Sequence, residues 1–295
     1  MLRVVVSLLL LFLGQSLLAA PVMVDTEWLA KHKNDDNIVL VDMTADDLQY
    51  SRYHIPGAIR IAYSDLVTRR KKDKVSVRLP DGVLEKGLGS LGINADSYIV
   101  IYDDIGSMEA GRLFWELERI GHKNMSILDG GLVQWVLDGR KVDNKPVKLK
   151  PSSYVSNGAG IENEADLAFI QNASEKGTVT LLDVRSQEEY IGHPRYPRSG
   201  HVPGAQWWPW ENNVAFTDGF KLKPDQQLLA SLKAVGVVDK KAPLAVYCRS
   251  GHRASQSYLT LRKLGFENVR LYDASMAEYE KNKLAPVVRG RSPSL

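Results

Sequence analysis

The sequence predicts an α/β protein built of two tandem domains, each a mostly parallel sheet flanked by helices, and three observations lead there. The chain repeats itself: Ile38-Val39-Leu40-Val41-Asp42-Met43 returns as Val179-Thr180-Leu181-Leu182-Asp183-Val184, and His54-Ile55-Pro56-Gly57-Ala58 returns as His201-Val202-Pro203-Gly204-Ala205. Ile99 to Asp103 likewise matches Leu244 to Cys248, Gly121-His122 matches Gly265-Phe266, and Leu128-Asp129 matches Tyr272-Asp273. Landmarks in the same order at near-constant offset mark the duplication of one module, and a unit this long is a domain rather than a solenoid repeat. Within each copy, short Val/Ile/Leu runs alternate with amphipathic stretches such as Met108 to Ile120 and Ala254 to Leu264, the pattern of a parallel sheet covered on both faces. Finally, 295 residues with 44% hydrophobic and 25% charged content suit two globular domains of ordinary size and leave no disordered composition.

In chain order, the N-terminus comes first. Met1-Leu2-Arg3 precedes an apolar run from Val4 to Leu13 and then Gly14 to Pro21. A charged start, a short apolar stretch and a small-residue end read as a secretory signal peptide over residues 1–20, placing the protein in the periplasm or outside the cell. The alternative is an uncleaved membrane anchor, for which the apolar run is short against the ~20 residues of a span. The first domain is expected over 22–143 and the second over 161–295. Between them, 144–160 carries Pro146, Pro151, Asn157 and Gly158 and breaks periodicity, as a linker does. The basic run Arg69 to Lys74 is expected to be a solvated loop. A formal net charge of +3 with interspersed signs gives a nucleic-acid partner little support.

The chemistry concentrates at Cys248, the single cysteine. Leu244 to Tyr247 is a short apolar run after Pro243, and helical spacing begins at Ala254, so the cysteine lies between a strand end and a helix start. Arg249, Ser250, Gly251, His252 and Arg253 can curl so that their backbone N–H groups face inward, forming an anion nest at the positive end of the helix. Such surroundings favour a thiolate, which is the nucleophilic form. One cysteine makes no internal disulfide, so an exported protein of this kind keeps a free thiol. Six scattered histidines with one cysteine give no metal-ligand spacing, and no glycine-rich nucleotide loop follows a strand, so no cofactor is expected.

With the strand before it and the helix after it, the loop Cys248 to Arg253 resembles the active-site loop of the rhodanese (sulfurtransferase) family, and the resemblance covers nearly the whole mature chain. Tyr50, His54, Ile55, Pro56, Gly57, Ala58 and Ile61 match the family's N-terminal signature. Val269, Tyr272, Asp273, Ser275, Glu278 and Tyr279 match the C-terminal one, with Ala274 where glycine is usual and Met276 where an aromatic residue is usual. The resemblance implies an inactive first domain and a catalytic second one. It implies transfer of a sulfane sulfur from a small anionic donor, thiosulfate-like, through a Cys248 persulfide to a thiol or cyanide acceptor, a thioredoxin-like protein among the candidates. A monomer is expected.

At the position of Cys248 the first copy carries Asp103, which cannot hold sulfur and would itself occupy the nest. Arg249 and Arg253 are expected to attract the donor, with His252 at the rim. Asp183 and Arg185 match the family's Asp-any-Arg segment; Asp183 is expected to support the loop, and Arg185 to frame it or, as the alternative, to contact the substrate directly. Glu189 occupies the place of a donor-gripping arginine in typical two-domain members, and Arg195 or Arg198 is a candidate to restore that charge. Two other functions share this logic: a non-catalytic persulfide carrier or sensor, and a cysteine phosphatase. Phosphatases place an arginine six positions after the cysteine; here that residue is Ala254.

Overall fold

The computed structural model describes residues 20–156, 160–196 and 198–293. The expected signal peptide, apart from Ala20, therefore lies outside the described residues, as do part of the expected linker (157–159) and Pro197 of the 193–200 insert.

Two five-stranded parallel sheets carry the architecture. In the first, the strand order is Met23–Val24, Met125–Leu128, Tyr98–Tyr102, Ile38–Asp42 and Ile59–Arg60. The second places Glu164–Ala165, Val269–Tyr272, Leu244–Tyr247, Thr180–Asp183 and Gln206–Trp207 in the same order. Register repeats as well: Asp42 pairs with Tyr102 and Asp183 with Tyr247. The central strands are buried nearly end to end, which is why they read as unbroken apolar runs rather than alternating ones.

The matched His-x-Pro-Gly-Ala turns explain themselves structurally. His54 stacks on Tyr50 at 4.0 Å and His201 on Tyr190 at 3.8 Å. Tyr50 and Tyr190 each donate a hydroxyl hydrogen bond to the turn's alanine carbonyl, at 2.8 Å in both copies. The ring hydroxyls of Tyr102 and Tyr247, one residue before Asp103 and Cys248, accept from the backbone N–H of Ile55 and Val202. These histidines and tyrosines tie a turn to the sheet in each domain. Their work is structural.

The helices Met108–Arg119 and His252–Lys263 pack against each other and fuse the domains. They touch closely at Gly111, where an added Cβ would lie 2.9 Å from the Ser255 carbonyl oxygen. One apolar cluster runs through both domains, from Val41 and Ile101 through Trp115 to Tyr258 and Val246. Polar bridges accompany it. Trp115 donates its indole N–H to Asn163 O at 3.0 Å, and Arg262 and Tyr258 both bond Glu118. Trp208 and Trp210 belong to the buried cluster, while half-buried Trp207 donates to Arg185 O at 2.9 Å.

The basic run departs from the expected solvated loop. It forms the end of a hairpin, Val67–Arg69 with Ser76–Arg78, that leans on the second domain. Arg70 bridges Asp73 and Glu278 at 2.7 Å each, and Lys281 donates to Asp73 O. Lys71, Lys72 and Lys74 remain exposed. The segment 144–156 has no helix or strand of its own but is anchored to the first domain, through Ser152 to Gly89 and Ile93 and through buried Tyr154 to His122.

Candidate functional site

Cys248 ends the strand Leu244–Tyr247 and is 1% exposed. The helix starts at His252, with Gly251 as its N-cap at φ 79°. Glycine is required there twice over: the backbone is left-handed, and a Cβ would stand 2.5 Å from Asp273 Oδ1. The loop is braced from below by the segment after Tyr272. Ser275 Oγ accepts from the N–H groups of both Cys248 and Gly251, at 3.1 Å each, and donates to Tyr272 O at 2.6 Å. Met276 and Ala277 donate their N–H groups to Cys248 O and Arg249 O. The first helical bond, Ser255 N–H to Gly251 O, leaves the N–H groups of His252, Arg253 and Ala254 at the unpaired end of the helix.

The first domain shows what such a loop holds. Asp103 is fully buried, and its carboxylate accepts four backbone hydrogen bonds, from Ile105, Ser107, Glu109 and Ala110 at 2.8–3.1 Å. Burial pushes its pKa up, the N–H groups of Ala110, Ser107 and Ile105 pull it down, and the balance is about 6. The carboxylate is thus mostly ionised at neutral pH.

The loop arginines are spoken for by glutamates. Arg253 makes a two-pronged ion pair with Glu189, at 2.6 and 2.9 Å. Burial opposes its charge, but Glu189 and then Cys248 more than offset this and hold the guanidinium above its usual range. Glu189 also has a local reason to be a glutamate, since with Ser186 it closes a capping box on Gln187–Ile191. Its place in the sequence reflects helix capping and pairing, not only a lost arginine. Arg249 is half exposed and pairs with Glu280 at 2.5 Å. Ser250 is half-buried between them.

Asp183 and Arg185 form a buried pair. Arg185 donates to both Asp183 oxygens and, through Nη2 at 2.7 Å, to Gly200 O. Burial works against the Arg185 charge, and Asp183 outweighs it, holding the guanidinium above its usual range. Arg198 lines a cavity beside the loop and also has a structural task. Its Nε and Nη2 donate to the carbonyls of Glu280, Asn282 and Ala285, all at 2.7 Å, so it ties the insert to the C-terminal segment. Arg195 is exposed.

A cavity of about 770 Å³ opens beside the loop, lined by Arg185, Glu188, Glu189, Tyr196, Arg249 and Glu280 among others. Cys248 itself is not part of its wall.

Sequence reasoning did not place the first domain's contribution. His252, 28% exposed at its side chain, faces Glu109 with Nε2 and Oε1 3.0 Å apart, and Tyr63 lies over its ring at 4.2 Å. Arg112, wholly buried, bridges Glu116 and Asp273, and Arg78 N–H donates to the other Asp273 oxygen. Asp273 and Ser275 were visible as members of the C-terminal signature. Glu109, Tyr63 and Arg112 carried no local signal.

Comparison with known proteins agrees with this arrangement. The family model described as a rhodanese-like domain matches twice, over residues 25–138 and 167–282. A "Sulfur carrier protein" of Thermus thermophilus is 31% identical, covering 91% of this chain and 97% of its own. A protein of Mycobacterium bovis named "Putative thiosulfate sulfurtransferase 1" is 32% identical, with coverages of 91% and 98%. Among solved structures, the 3-mercaptopyruvate sulfotransferase SseA of Escherichia coli superposes with a TM-score of 0.76 at 27% identity, over 87% of this chain and 99% of that one. With both halves matched and the loop around Cys248 intact in the second alone, the chain belongs to the rhodanese-like domain family as a tandem, two-domain member.

Proposed function

We propose that the protein is a sulfurtransferase in which Cys248 takes a sulfane sulfur from an anionic, thiosulfate-like donor and passes it to a thiol or cyanide. The observation that carries this reading is the position of Cys248, between the end of a central strand and a helix N-terminus, as Asp103 is in the first domain. In the first domain the loop after the central strand holds the Asp103 carboxylate in four backbone N–H groups, and in the second the equivalent position is a thiol. Backbone N–H groups converging on that position offer donors to a thiolate, and equally to the persulfide anion that follows it. Arg253, paired with Glu189, lies within electrostatic reach of Cys248. Transfer has two strokes: the Cys248 thiolate attacks the outer sulfur of the donor and releases the rest as sulfite, and the acceptor then attacks the sulfur bound to Cys248.

The test is mass spectrometry of the protein after incubation with thiosulfate. One added sulfur atom on Cys248 is expected, lost again on addition of cyanide, and Cys248→Ser should take up none and turn over nothing. A serine variant that still transfers sulfur would refute the assignment. The name of the Thermus thermophilus relative supports a second reading, a carrier that delivers its sulfur to a partner protein. Stoichiometric loading without multiple turnover on small acceptors would favour that one.

A further inference from the structure

The contact between the domains at His252 contains an unresolved polar balance. Glu109 sits on the second residue of the helix Met108–Arg119, its side chain 9% exposed, and its Oε2 is buried without a hydrogen-bond partner. His252 Nε2, 3.0 Å from Glu109 Oε1, is buried too and has no hydrogen-bond partner of good geometry. Leaving buried polar atoms unpaired costs about 1–3 kcal/mol each, so such atoms call for an explanation, catalysis among the usual ones. Both atoms lie at the active loop. The Tyr63 phenol that covers the His252 ring is within electrostatic reach of Arg112, Asp273, Cys248 and Glu109 together. Glu109 is also held in place by the residue that replaced the cysteine, because its backbone N–H donates to Asp103 Oδ2 at 2.8 Å.

Building on the sulfur-transfer reading above, we propose that His252 takes the proton from an acceptor thiol and that Glu109, supplied by the cysteine-less domain, is the positioning residue that orients the imidazole and stabilises its charged form. In the second stroke the acceptor's S–H proton passes to His252. The acceptor thiolate then bonds to the outer sulfur of the Cys248 persulfide, the sulfur–sulfur bond breaks, and Cys248 leaves as a thiolate. The product is the acceptor's persulfide anion, with the proton on an imidazolium beside Glu109. Nothing is oxidised or reduced overall, and no further reactant is needed. Around this pair, Tyr63 lies against the His252 ring and Asp104 is within electrostatic reach of Glu109, while Tyr63 in turn is within reach of Arg112, Asp273 and Cys248. The inactive domain thereby contributes a carboxylate to the chemistry of its twin. An anionic acceptor without a proton to lose has no use for the pair, which makes the proposal specific to thiol acceptors.

The experiment is single-turnover decay of the persulfide form, loaded beforehand on full-length protein, driven either by dithiothreitol across a range of pH or by cyanide at a pH where it is ionised. With the thiol near neutrality, His252→Gln should slow decay by about a hundredfold and Glu109→Gln by about tenfold. Both defects should close as the pH passes the ionisation of the thiol, and cyanide should discharge all forms at the wild-type rate. The double variant should lose no more than His252→Gln alone. Equal slowing with thiol and cyanide, or wild-type rates with both, would overturn the proposal. Should Glu109→Gln fail to fold by thermal melting, His252→Gln alone gives the same readout. A wild-type protein that never loads sulfur would instead refute the reading beneath it.

Discussion

Replacing Glu189 by glutamine isolates the question of how this site handles an anionic donor. In the folded protein both Glu189 oxygens are engaged by Arg253, the loop arginine within electrostatic reach of Cys248. A donor anion must compete with that carboxylate before it can use the guanidinium. Glutamine keeps the shape and, as a good residue for the third helical position, keeps the capping box with Ser186. The exchange therefore removes one charge with little else disturbed, whereas Glu189→Arg would set two guanidiniums side by side and break the cap. The pair is partly solvent-exposed, at 24% and 33%, so its loss should cost at most about 1 kcal/mol of stability. The gain to a donor that inherits Arg253 is larger: a charge-assisted hydrogen bond is worth about 1.5–3 kcal/mol. At about 1.4 kcal/mol per factor of ten, kcat/KM for thiosulfate should rise roughly 10- to 100-fold. Initial rates of thiocyanate formation over a thiosulfate series, with thermal unfolding as control, read this directly. Adding Arg253→Ala should erase the gain. An unchanged or lower kcat/KM in a well-folded Glu189→Gln protein would show that Arg253 serves the loop through Glu189 and does not meet the donor.

Two further predictions address the loop and its counterpart. Ser275→Ala strips the common acceptor from the Cys248 and Gly251 N–H groups, and at about 1–3 kcal/mol for each buried unsatisfied group it should lower the melting temperature and slow persulfide loading together. Loading at the wild-type rate would mean that Met276 and Ala277 hold the loop without it. Asp103 makes a pH-dependent contribution of definite sign. Its pKa is raised from 3.8 to about 6 on folding, so between those values the native state binds the proton more tightly, and stability should fall as pH rises through that window. The shift corresponds to roughly 3 kcal/mol. Denaturant unfolding of the wild type minus Asp103→Asn should lose about that much between pH 4 and pH 7, and a flat difference would refute the assigned shift.

The fold was legible because its evidence is local and repeated. Apolar runs such as Ile99 to Tyr102 and Leu244 to Tyr247 name central parallel strands by composition alone, and the two copies of His-x-Pro-Gly-Ala fix the correspondence between domains. The strand-to-helix loop at Cys248 follows from spacing, as does the carboxylate nest at Asp103, since a loop of that shape presents N–H groups whatever side chain precedes it. Side-chain partnership is another matter. Arg253 meets Glu189 across 64 residues, Arg112 meets Asp273 across 161, and Arg198 spends its donors on carbonyls more than 80 residues away. Arg253 and Arg198 read in the sequence simply as positive charge near the site, and Arg112 carries no signal at all. Periodicity records which face of an element is buried, but a long charged side chain takes whatever acceptor docking brings within its reach. Where that acceptor lies in the other domain, as for Arg112, the docking is set by the close approach of Met108–Arg119 and His252–Lys263 at Gly111 and Ser255. The sequence by itself determined two α/β domains and a single cysteine; only the tertiary structure decided which charges surround that cysteine, because pairs such as Arg253–Glu189 within the second domain and Arg112–Asp273 between the domains depend on distances that no local pattern encodes.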